Sequence, residues 1–577
     1  MGVLSGHEAA TNAVPITLNM LPPAPTNPNS TDTPAAPPES PDTTLECAAP
    51  PPSRVPRPRA AGLVSFPQNP LQCPSPPIHD KDLMSPSRLL SHILLRCAAL
   101  SLVFGTHFVF GAPPLSAQTA ATAASAANNP DVKGAQRLFS AWMEGQIAYR
   151  GLPGIVVGVV ADQELVWAAA FGMADIAQKI PMTPQTKFRM ASHSKLFTAT
   201  AIMQLRELGK VRLDDPVSKY LPWFQVKAAG ADDPPITIEE LLTHGSGLPR
   251  EAGAHWTTYE FPTQEQLRTL TPERQAAFAP DVRWKYSNLA YSIAGMVVET
   301  ASGERWADYV QRHIYQPLGM MASSVDQNVS GLAVGYGRRM PNGSRAIMPF
   351  VDARGMAAAT GITSTVEDMA KFVSAQLRSG KTGGNQILST GSLREMHRVR
   401  LLENNWTRGN GIGFAVSRVG DKVFVGHGGG YPGYTTQTTI NLDARVGVIV
   451  LTNTNDSDPG GIATQLMNTV GEAVAKVIAP APQSVAWDPS WSRFAGFYSG
   501  TGGDSQVIEL NQRLVLITPN APNVESPIQL EPIGNGLFRF VAPVGGGPVG
   551  EVVRFVEEGG RVVRMITGDS YVDRVRE

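Results

Sequence analysis

A serine and a lysine lie three residues apart in the run Arg189-Met190-Ala191-Ser192-His193-Ser194-Lys195. On a helix, residues at this spacing share a face, so the Ser192 hydroxyl and the Lys195 amine can meet. A serine hydroxyl is a weak nucleophile until a base takes its proton, and a lysine can be that base if burial and neighbours lower its pKa. The pair indicates acyl transfer. Taken alone, however, a helix N-cap serine followed by a surface lysine is the simpler interpretation.

Two further segments supply other groups that such a site needs. Tyr286-Ser287-Asn288 precedes an apolar stretch, Leu289 to Val298, that is predicted to be helical. A tyrosine hydroxyl beside an ammonium can act as a phenolate or a proton relay, and an asparagine can bind a substrate amide. In Val425-Gly426-His427-Gly428-Gly429-Gly430, the glycines predict a turn that leaves a strand and brings backbone N–H groups close to a ligand. Each segment alone also has a structural explanation, a core tyrosine at a helix start and a histidine in a glycine turn.

In this order, the three segments resemble the signatures of the serine β-lactamase and penicillin-binding-protein superfamily. Within it, the resemblance is to the class C-related group, which includes D-aminopeptidases, D,D-carboxypeptidases and esterases. The connecting segments Ile236 to Pro249 and Gly361 to Met369 agree with it, and the resemblance extends from about Gln136 to Val477. Jointly, the motifs are far more specific than any one of them.

The resemblance implies a role for each matching residue. Ser192 would form the acyl-enzyme, and Lys195 and Tyr286 would share the proton transfers to and from it. Asn288 would bind the substrate amide. The N–H groups of Ser192 and Gly430 would form the oxyanion hole. The resemblance implies no cofactor and no metal.

The third segment departs from the β-lactamase pattern, because His427 stands where those enzymes open a Lys-Thr-Gly signature. Substrate binding here is assigned to His427, Gly428, Gly429 and Gly430. A lysine is cationic at neutral pH whereas a histidine titrates near it, so holding a substrate carboxylate at His427 would depend on pH. The resemblance therefore implies a peptidase or an esterase rather than an efficient β-lactamase.

Three neighbouring polar residues receive no chemical role. His193 and Ser194 occupy the variable positions of the first motif. His244 lies in a connecting segment that is not catalytic in the family, and we assign it to loop structure.

The elements that position these groups follow from apolar periodicity. Leu138, Trp142 and Ile147 recur at helical spacing, and two β-branched runs joined by Asp162-Gln163 predict a hairpin. Near the other end of the region come three more predicted strands and a long helix: Lys422 to Val425, Tyr434 to Asn441, Val446 to Thr452, and about Ile462 to Val477. We expect an α+β fold, with an antiparallel sheet built from both ends, flanked by helices and facing a helical lobe.

A second folded unit is predicted beyond a linker at Ala479-Pro480-Ala481-Pro482. Short alternating strands separated by Gly-rich turns are typical of a small β-barrel, here a lipocalin-like C-terminal domain. The predicted strands are Val507 to Leu510, Leu514 to Ile517, Leu537 to Val541, Val552 to Val556 and Val562 to Met565. The expected domains are a serine hydrolase at 131–480 and the barrel at 487–577.

The N-terminal part of the chain is predicted to contain an export signal. A basic start after Met84, an apolar run from Cys97 to Gly111 and small residues before Gln118 predict a signal peptide at 84–117, followed by a spacer at 118–130. The apolar run is shorter than the roughly 18 residues needed to span a bilayer, so no stable membrane insertion is expected after cleavage. We predict translation from Met84, residues 1–83 being Pro-rich and disordered or not translated, and a periplasmic or secreted product.

Composition excludes some partners and chemistries. The formal net charge is −1, from 48 basic and 49 acidic side chains, so no overall field attracts nucleic acid. Cys47, Cys73 and Cys97 all precede the predicted domains, which leaves those domains without a disulfide, a thiolate nucleophile or a cysteine metal site. The expected partner is a small peptide or ester substrate.

These observations predict an exported serine hydrolase that acts through a Ser192 acyl-enzyme. We expect a peptidase on short or unusual peptides, either D-residue-containing or linearised. The alternatives are a carboxylic-ester hydrolase or weak β-lactamase, and a penicillin-binding sensor that acylates without turnover.

Overall fold

A computed structural model describes residues 123–576, except 326–328, 379–385, 405, 480–484, 502, 520–526 and 542–548. The predicted signal peptide and the three cysteines lie outside the described residues. Part of the predicted spacer is helical, because Ala123–Asn128 form a short helix in which Ala123 and Ala126 are buried.

The hydrolase region is built on an antiparallel sheet. Its strands are β1 Gly154–Ala161, β2 Glu164–Asp175, β3 Ile180–Pro181, β6 Leu401–Leu402, β7 Arg408–Asn410, β8 Ala415–Val419, β9 Lys422–Tyr431, β10 Tyr434–Asn441 and β11 Val446–Thr452. Two short strands, β4 Phe188–Arg189 and β5 Thr363–Ser364, pair separately. In the described residues, the sheet order is β3-β2-β1-β11-β10-β9-β8-β7-β6. Pairing of β1 with β11 confirms that both ends of the region form one sheet.

Helices fill the middle of the region and cover the sheet. They are α1 Ala123–Asn128, α2 Pro130–Arg150, α3 Ser194–Glu207, α4 Val217–Tyr220, α5 Ile238–Thr243, α6 His255–Thr258, α7 Gln264–Leu270, α8 Asn288–Ser302, α9 Trp306–Val310, α10 Gln316–Leu318, α11 Ala357–Thr360, α12 Val366–Gln376, α13 Thr390–His397, α14 Pro459–Leu466 and α15 Glu472–Ile478. The predicted helix at the far end corresponds to α14 and α15, which the π-helical turn Met467–Gly471 joins. None of the described helices is long and apolar enough to cross a membrane.

Strand β1 separates two hydrophobic cores, which explains its unbroken apolar sequence. Alternate side chains of a strand point to opposite faces. Val156 and Val160 therefore enter the larger core, whereas Ile155, Val157 and Val159 enter the smaller one under α2, α14 and α15. Helix α2 confirms the predicted helical rhythm, since Trp142 and Ile147 pack against the smaller core, whereas Leu138 is 65% exposed and Phe139 is buried.

The site is carried by the ends of two buried helices. Helix α3 is buried on nearly all sides, which fits its apolar residues being spread around the whole circumference. It contacts α8, which also belongs to the larger core. The Ser287 hydroxyl caps α8 by accepting the Ala290 N–H at 3.0 Å, and Gly303 ends the helix with a φ of 80°. This cap places Tyr286 immediately before α8 and Asn288 in its first turn.

The C-terminal region is a closed barrel, as predicted. Its strands are β12 Gly496–Gly500, β13 Gly503–Glu509, β14 Leu514–Ile517, β15 Ile528–Gly534, β16 Leu537–Val541, β17 Val552–Glu558, β18 Arg561–Thr567 and β19 Ser570–Arg576. All five predicted strands are present. Strands β12, β15 and β19 were not predicted, because glycines, a proline and charged residues interrupt their apolar alternation. The 3₁₀ turn Pro489–Phe494 contributes Trp491 and Phe494 to the barrel core.

Candidate active site

Ser192 lies in a strained turn at the start of α3. The 3₁₀ turn Ala191–His193 leads directly into the helix, and Ala191 has a φ of 51°. A residue with a Cβ adopts this left-handed conformation at a cost of about 1–2 kcal/mol, so surrounding contacts must hold it. The turn directs the Ser192 side chain into a cavity while its neighbours on both sides remain buried.

The two variable positions of the first motif supply those contacts. The Ser194 hydroxyl donates to the Ala191 carbonyl at 2.8 Å and accepts the Ile362 N–H at 3.1 Å. The fully buried His193 ring lies 2.9 Å, through Nε2, from the Thr438 hydroxyl of β10. Burial lowers the pKa of His193 to about 4, so the ring is neutral at physiological pH. Both side chains fasten the nucleophile turn to its surroundings.

Lys195 is completely buried and its Nζ has three neighbours. Two are carbonyl oxygens, Asn288 Oδ1 at 2.7 Å and Ala359 O at 2.9 Å, and the third is Ser192 Oγ at 3.2 Å. Burial lowers the pKa of Lys195 well below its usual value. A neutral amine has two N–H groups and one lone pair. If the two carbonyls accept the N–H groups, the lone pair faces Ser192, as a base for its proton requires.

Tyr286 completes the contact with the nucleophile. Its hydroxyl donates to Ser192 Oγ at 2.7 Å. Burial raises the pKa of Tyr286 to about 12, so the resting side chain carries its proton and is placed as a proton donor rather than as a phenolate. The Lys195 Nζ lies 4.9 Å from the centre of the Tyr286 ring. Ser192, Lys195 and Tyr286 therefore form one contiguous group.

His244 contacts Tyr286 and the residue that follows it. Its Nδ1 accepts the Ser287 N–H at 3.1 Å, and its ring centre lies 4.4 Å from that of Tyr286. Burial is the main cause that holds the pKa of His244 well below its usual value, with Lys195 contributing. The residue ends α5 with a φ of 62°. It thus links the loop after α5 to the Tyr286 segment.

The predicted glycine turn is instead part of a strand. Strand β9 continues through His427, Gly428, Gly429 and Gly430 to Tyr431 and pairs with β10 throughout this stretch. The turn prediction from glycine content was wrong here, because Gly429 serves the close packing of a strand. A Cβ on Gly429 would lie 2.4 Å from the Met190 carbonyl oxygen, so only glycine lets β9 lie against the nucleophile turn.

Two alanine substitutions test this packing. Gly429→Ala is expected to reduce the free energy of unfolding by about 1–3 kcal/mol, as overpacking typically does. Gly430→Ala is the matched control, because a Cβ on Gly430 would meet open space, and its stability should stay near that of the wild type. Urea unfolding of both variants measures the difference. Equal stability of the two would contradict the close approach.

His427 is neutral in this environment. Its Nδ1 lies 2.5 Å from the Gly428 carbonyl oxygen, which can only accept, so Nδ1 carries the proton and Nε2 is left as an acceptor. Burial, with smaller effects of Lys195 and His193, lowers the pKa of His427 to about 3. The pH dependence expected for binding a substrate carboxylate through the charge of His427 therefore moves into the acid range.

All the predicted site residues except the buried Lys195 line a cavity of about 790 Å³. Its lining combines the catalytic candidates with aromatic side chains and one arginine: Ser192, Arg250, Trp256, Tyr259, Trp284, Tyr286, Asn288, Met348, His427, Gly428, Gly429, Gly430, Tyr431, Pro432 and Asn455. Most of the Arg250 side chain is exposed, and its guanidinium lies 5.1 Å from the centre of the Tyr286 ring. Arg250 thus brings a positive charge to the cavity beside the catalytic group.

Asn288 does not point freely into this cavity. It is 1% exposed, its Oδ1 accepts from Lys195, and its Nδ2 donates to Glu251 Oε1 at 2.5 Å. Both ends of the amide that was expected to bind substrate are thus engaged within the protein. Sequence reasoning missed Arg250 and Glu251, although they directly follow Gly247-Leu248-Pro249 of a segment that already supported the resemblance.

The chain is similar to known proteins in sequence and in fold. A family model described as Beta-lactamase matches residues 139–470. The chain is similar to Penicillin-binding protein 4* of Bacillus subtilis (strain 168), with 26% identity over 384 residues that cover 61% of this chain and 81% of that protein. It is also similar to Esterase EstB of Burkholderia gladioli, with 37% identity over 184 residues. That match covers 30% of this chain and 46% of the esterase, so the chain spans about half of the esterase's length.

Among solved structures, the chain is similar in fold to an octameric penicillin-binding protein homologue from Pyrococcus abyssi. The TM-score is 0.53 at 24% identity, and the match covers 76% of this chain and 99% of that one. At this identity the likeness concerns the fold.

Proposed function

The chain belongs to the Beta-lactamase family and is a serine hydrolase, and on this basis we propose that it is a peptidase that cleaves short or unusual peptides through an acyl-enzyme on Ser192. The observation that carries the proposal is the contact of Ser192 Oγ with both the Lys195 amine and the Tyr286 hydroxyl. The peptides in question are D-residue-containing or linearised. An open cavity beside this group supports access by such small substrates.

Acylation uses the three side chains in sequence. The Lys195 amine takes the Ser192 hydroxyl proton as Oγ bonds to the substrate carbonyl carbon, whose oxygen becomes the oxyanion. The N–H groups of Ser192 and Gly430 are assigned to that oxyanion, with the N-terminal end of α3 adding a favourable dipole. As the carbon–nitrogen bond breaks, Tyr286 donates its proton to the leaving amine, and the Lys195 ammonium restores that proton.

Deacylation reverses these roles. Water attacks the acyl carbonyl carbon and gives one proton to Tyr286, which at the same time passes its own proton to the Lys195 amine. Ser192 Oγ then leaves and recovers its proton, which regenerates the enzyme and releases a carboxylic acid. The proton balance closes within the three side chains.

A substrate panel tests the proposal. On protein beginning at Gln118, D-alanyl amides and linear peptides are expected to show a larger kcat/KM than p-nitrophenyl butyrate or nitrocefin. A largest value for the butyrate ester would instead establish the second candidate, a carboxylic-ester hydrolase. Similarity to Esterase EstB favours that candidate, and esters are easier acyl donors. A stable adduct without turnover on every substrate would establish a sensor.

Arg250 is the proposed anchor for a substrate carboxylate, because it is cationic and faces the cavity while His427 is neutral. Arg250→Gln is expected to lower kcat/KM about three- to tenfold for peptides with a free C-terminal carboxylate, as expected for a partly exposed ion pair worth about 1 kcal/mol. C-terminally amidated versions of the same peptides are the control and should change little. Equal losses for both forms would contradict this role.

We also propose that the protein is exported after cleavage near Gln118, from the pattern of residues 84–117. N-terminal sequencing of the secreted or periplasmic protein should begin near Gln118. Mature protein that retains the Pro-rich segment would overturn the proposal.

A further inference from the structure

We propose that Glu251 is a positioning residue of the reaction, which holds Asn288 so that its amide oxygen faces Lys195. The inference rests on the proposed acyl chemistry at Ser192 and deepens it. Glu251 itself makes no contact with Ser192 among the hydrogen bonds of the described residues, so it acts through other groups.

The contacts form a continuous line from a carboxylate to the nucleophile. Glu251 Oε1 accepts from Asn288 Nδ2 at 2.5 Å, and Asn288 Oδ1 accepts from Lys195 Nζ at 2.7 Å. Lys195 Nζ then lies 3.2 Å from Ser192 Oγ. The first two links join side chains that lie 37 and 93 residues apart in the sequence, and the described structure brings them into one row with Ser192.

The chemistry of the two ends dictates the orientation of the amide between them. A carboxylate only accepts hydrogen bonds, and an amine that contacts a carbonyl donates to it. Asn288 must therefore present its NH₂ group to Glu251 and its oxygen to Lys195. Without Glu251, the amide has no partner on one side and loses the reason to keep this orientation. Lys195 would then lose one of the two carbonyls that aim its lone pair at Ser192.

Glu251 is itself held in place. Its side chain is 15% exposed, its Oε2 lies 2.9 Å from His255 Nε2, and Arg250 Nε lies 3.3 Å from Oε1. A mostly buried carboxylate needs such partners, because an uncompensated charge there would be costly. The carboxylate is thus fixed from three sides, by His255, Arg250 and Asn288.

The charge of Glu251 also acts on Lys195. It raises the pKa of the lysine, against the larger lowering by burial, whereas Arg250 lowers it further. Other titratable or charged groups lie near Glu251 and Lys195: Tyr286, Tyr291, His244, His427, Arg250 and His255. Of these, Arg250 is the cation that opposes Glu251 directly. Removing either charge should therefore move the titration of Lys195, in opposite directions.

The test measures how fast a fluorophosphonate labels Ser192 at each pH, with kcat and KM for an ester alongside. Glu251→Gln keeps an acceptor for Asn288 but removes the charge, so the acid limb of the labelling rate should move to lower pH. Arg250→Gln should move the same limb to higher pH. Glu251→Ala should lower kcat about 10- to 100-fold with less than a threefold change in KM.

Glu265→Gln serves as the control, since it removes an exposed carboxylate on α7 and should leave the pH profile unchanged. If Glu251→Ala does not fold, the profile of Glu251→Gln decides. A wild-type kcat in a folded Glu251→Ala would overturn the proposal, as would, where that variant does not fold, an acid limb in Glu251→Gln that coincides with the wild type. Because fluorophosphonate labelling needs no natural substrate, a failed peptidase assay with a shifted labelling profile would reject the substrate class and retain the role of Glu251.

Discussion

Ser192→Ala is expected to reduce turnover by about 10⁴-fold or more, because no other hydroxyl is placed between Lys195 and Tyr286 in the described structure. The substitution removes one oxygen from a half-buried side chain and leaves the backbone of the turn unchanged. The free energy of unfolding should therefore stay close to that of the wild type. Steady-state kinetics and urea unfolding of the same preparation measure both quantities.

Ser194→Ala provides the opposite pattern as a control. Its hydroxyl holds the turn through Ala191 and Ile362 and does not contact Ser192 Oγ. Leaving the buried Ile362 N–H without its partner is expected to reduce the free energy of unfolding by about 1–3 kcal/mol. Fluorophosphonate labelling of Ser192 should persist in this variant. Undiminished hydrolysis by Ser192→Ala would refute the assignment of the nucleophile.

Lys195→Ala and Tyr286→Phe form the second pair with large expected effects. Each should slow acylation by about 10²- to 10⁴-fold, the range typical of lost acid–base catalysis. Lys195→Ala removes the base whose lone pair faces Ser192, and Tyr286→Phe removes the hydroxyl that donates to the same oxygen. Rapid-mixing measurement of the acylation burst with an activated ester separates this step from deacylation.

The double variant distinguishes a shared proton path from two separate effects. Because both side chains contact the same oxygen, their losses should not multiply, and the double variant should be only slightly slower than the worse single variant. Fully multiplicative losses would show that the two groups act independently.

In the wild type, activity should rise with pH through the lowered pKa of Lys195, since only the neutral amine can accept the proton.

Much of the fold could be predicted because it depends on local patterns. The apolar run of β1 and the alternation in β10 indicate strands whatever their partners, and both were confirmed. Glycine content was misleading for the same reason. A glycine-rich segment can form a tight turn, and it can equally form a strand that lies very close to its neighbour. Only the neighbouring turn at Met190 decides between them at Gly429.

Some residues of the site could be predicted from the sequence, and others could not. Ser192, Lys195, Tyr286 and His427 could be selected because their residue types and spacings match a known chemistry. The structure brings Ser192, Tyr286 and His427 to one cavity and buries Lys195 next to Ser192. Glu251 could not be selected, since a glutamate two residues after a proline carries no signal of its own. Its proposed role rests on the contact with Asn288, which lies 37 residues away in the chain.

Residue types and spacing alone point to Ser192 and Lys195, because residues three apart can meet on a helix and the Tyr286 and His427 segments match the same chemistry. The tertiary structure decided the rest of the lysine's environment. Burial and the two carbonyls of Asn288 and Ala359 determine whether the amine is free to act as a base. These groups come from separate helices, and a pKa depends on all charges and dipoles near the group in space, so no local pattern encodes it.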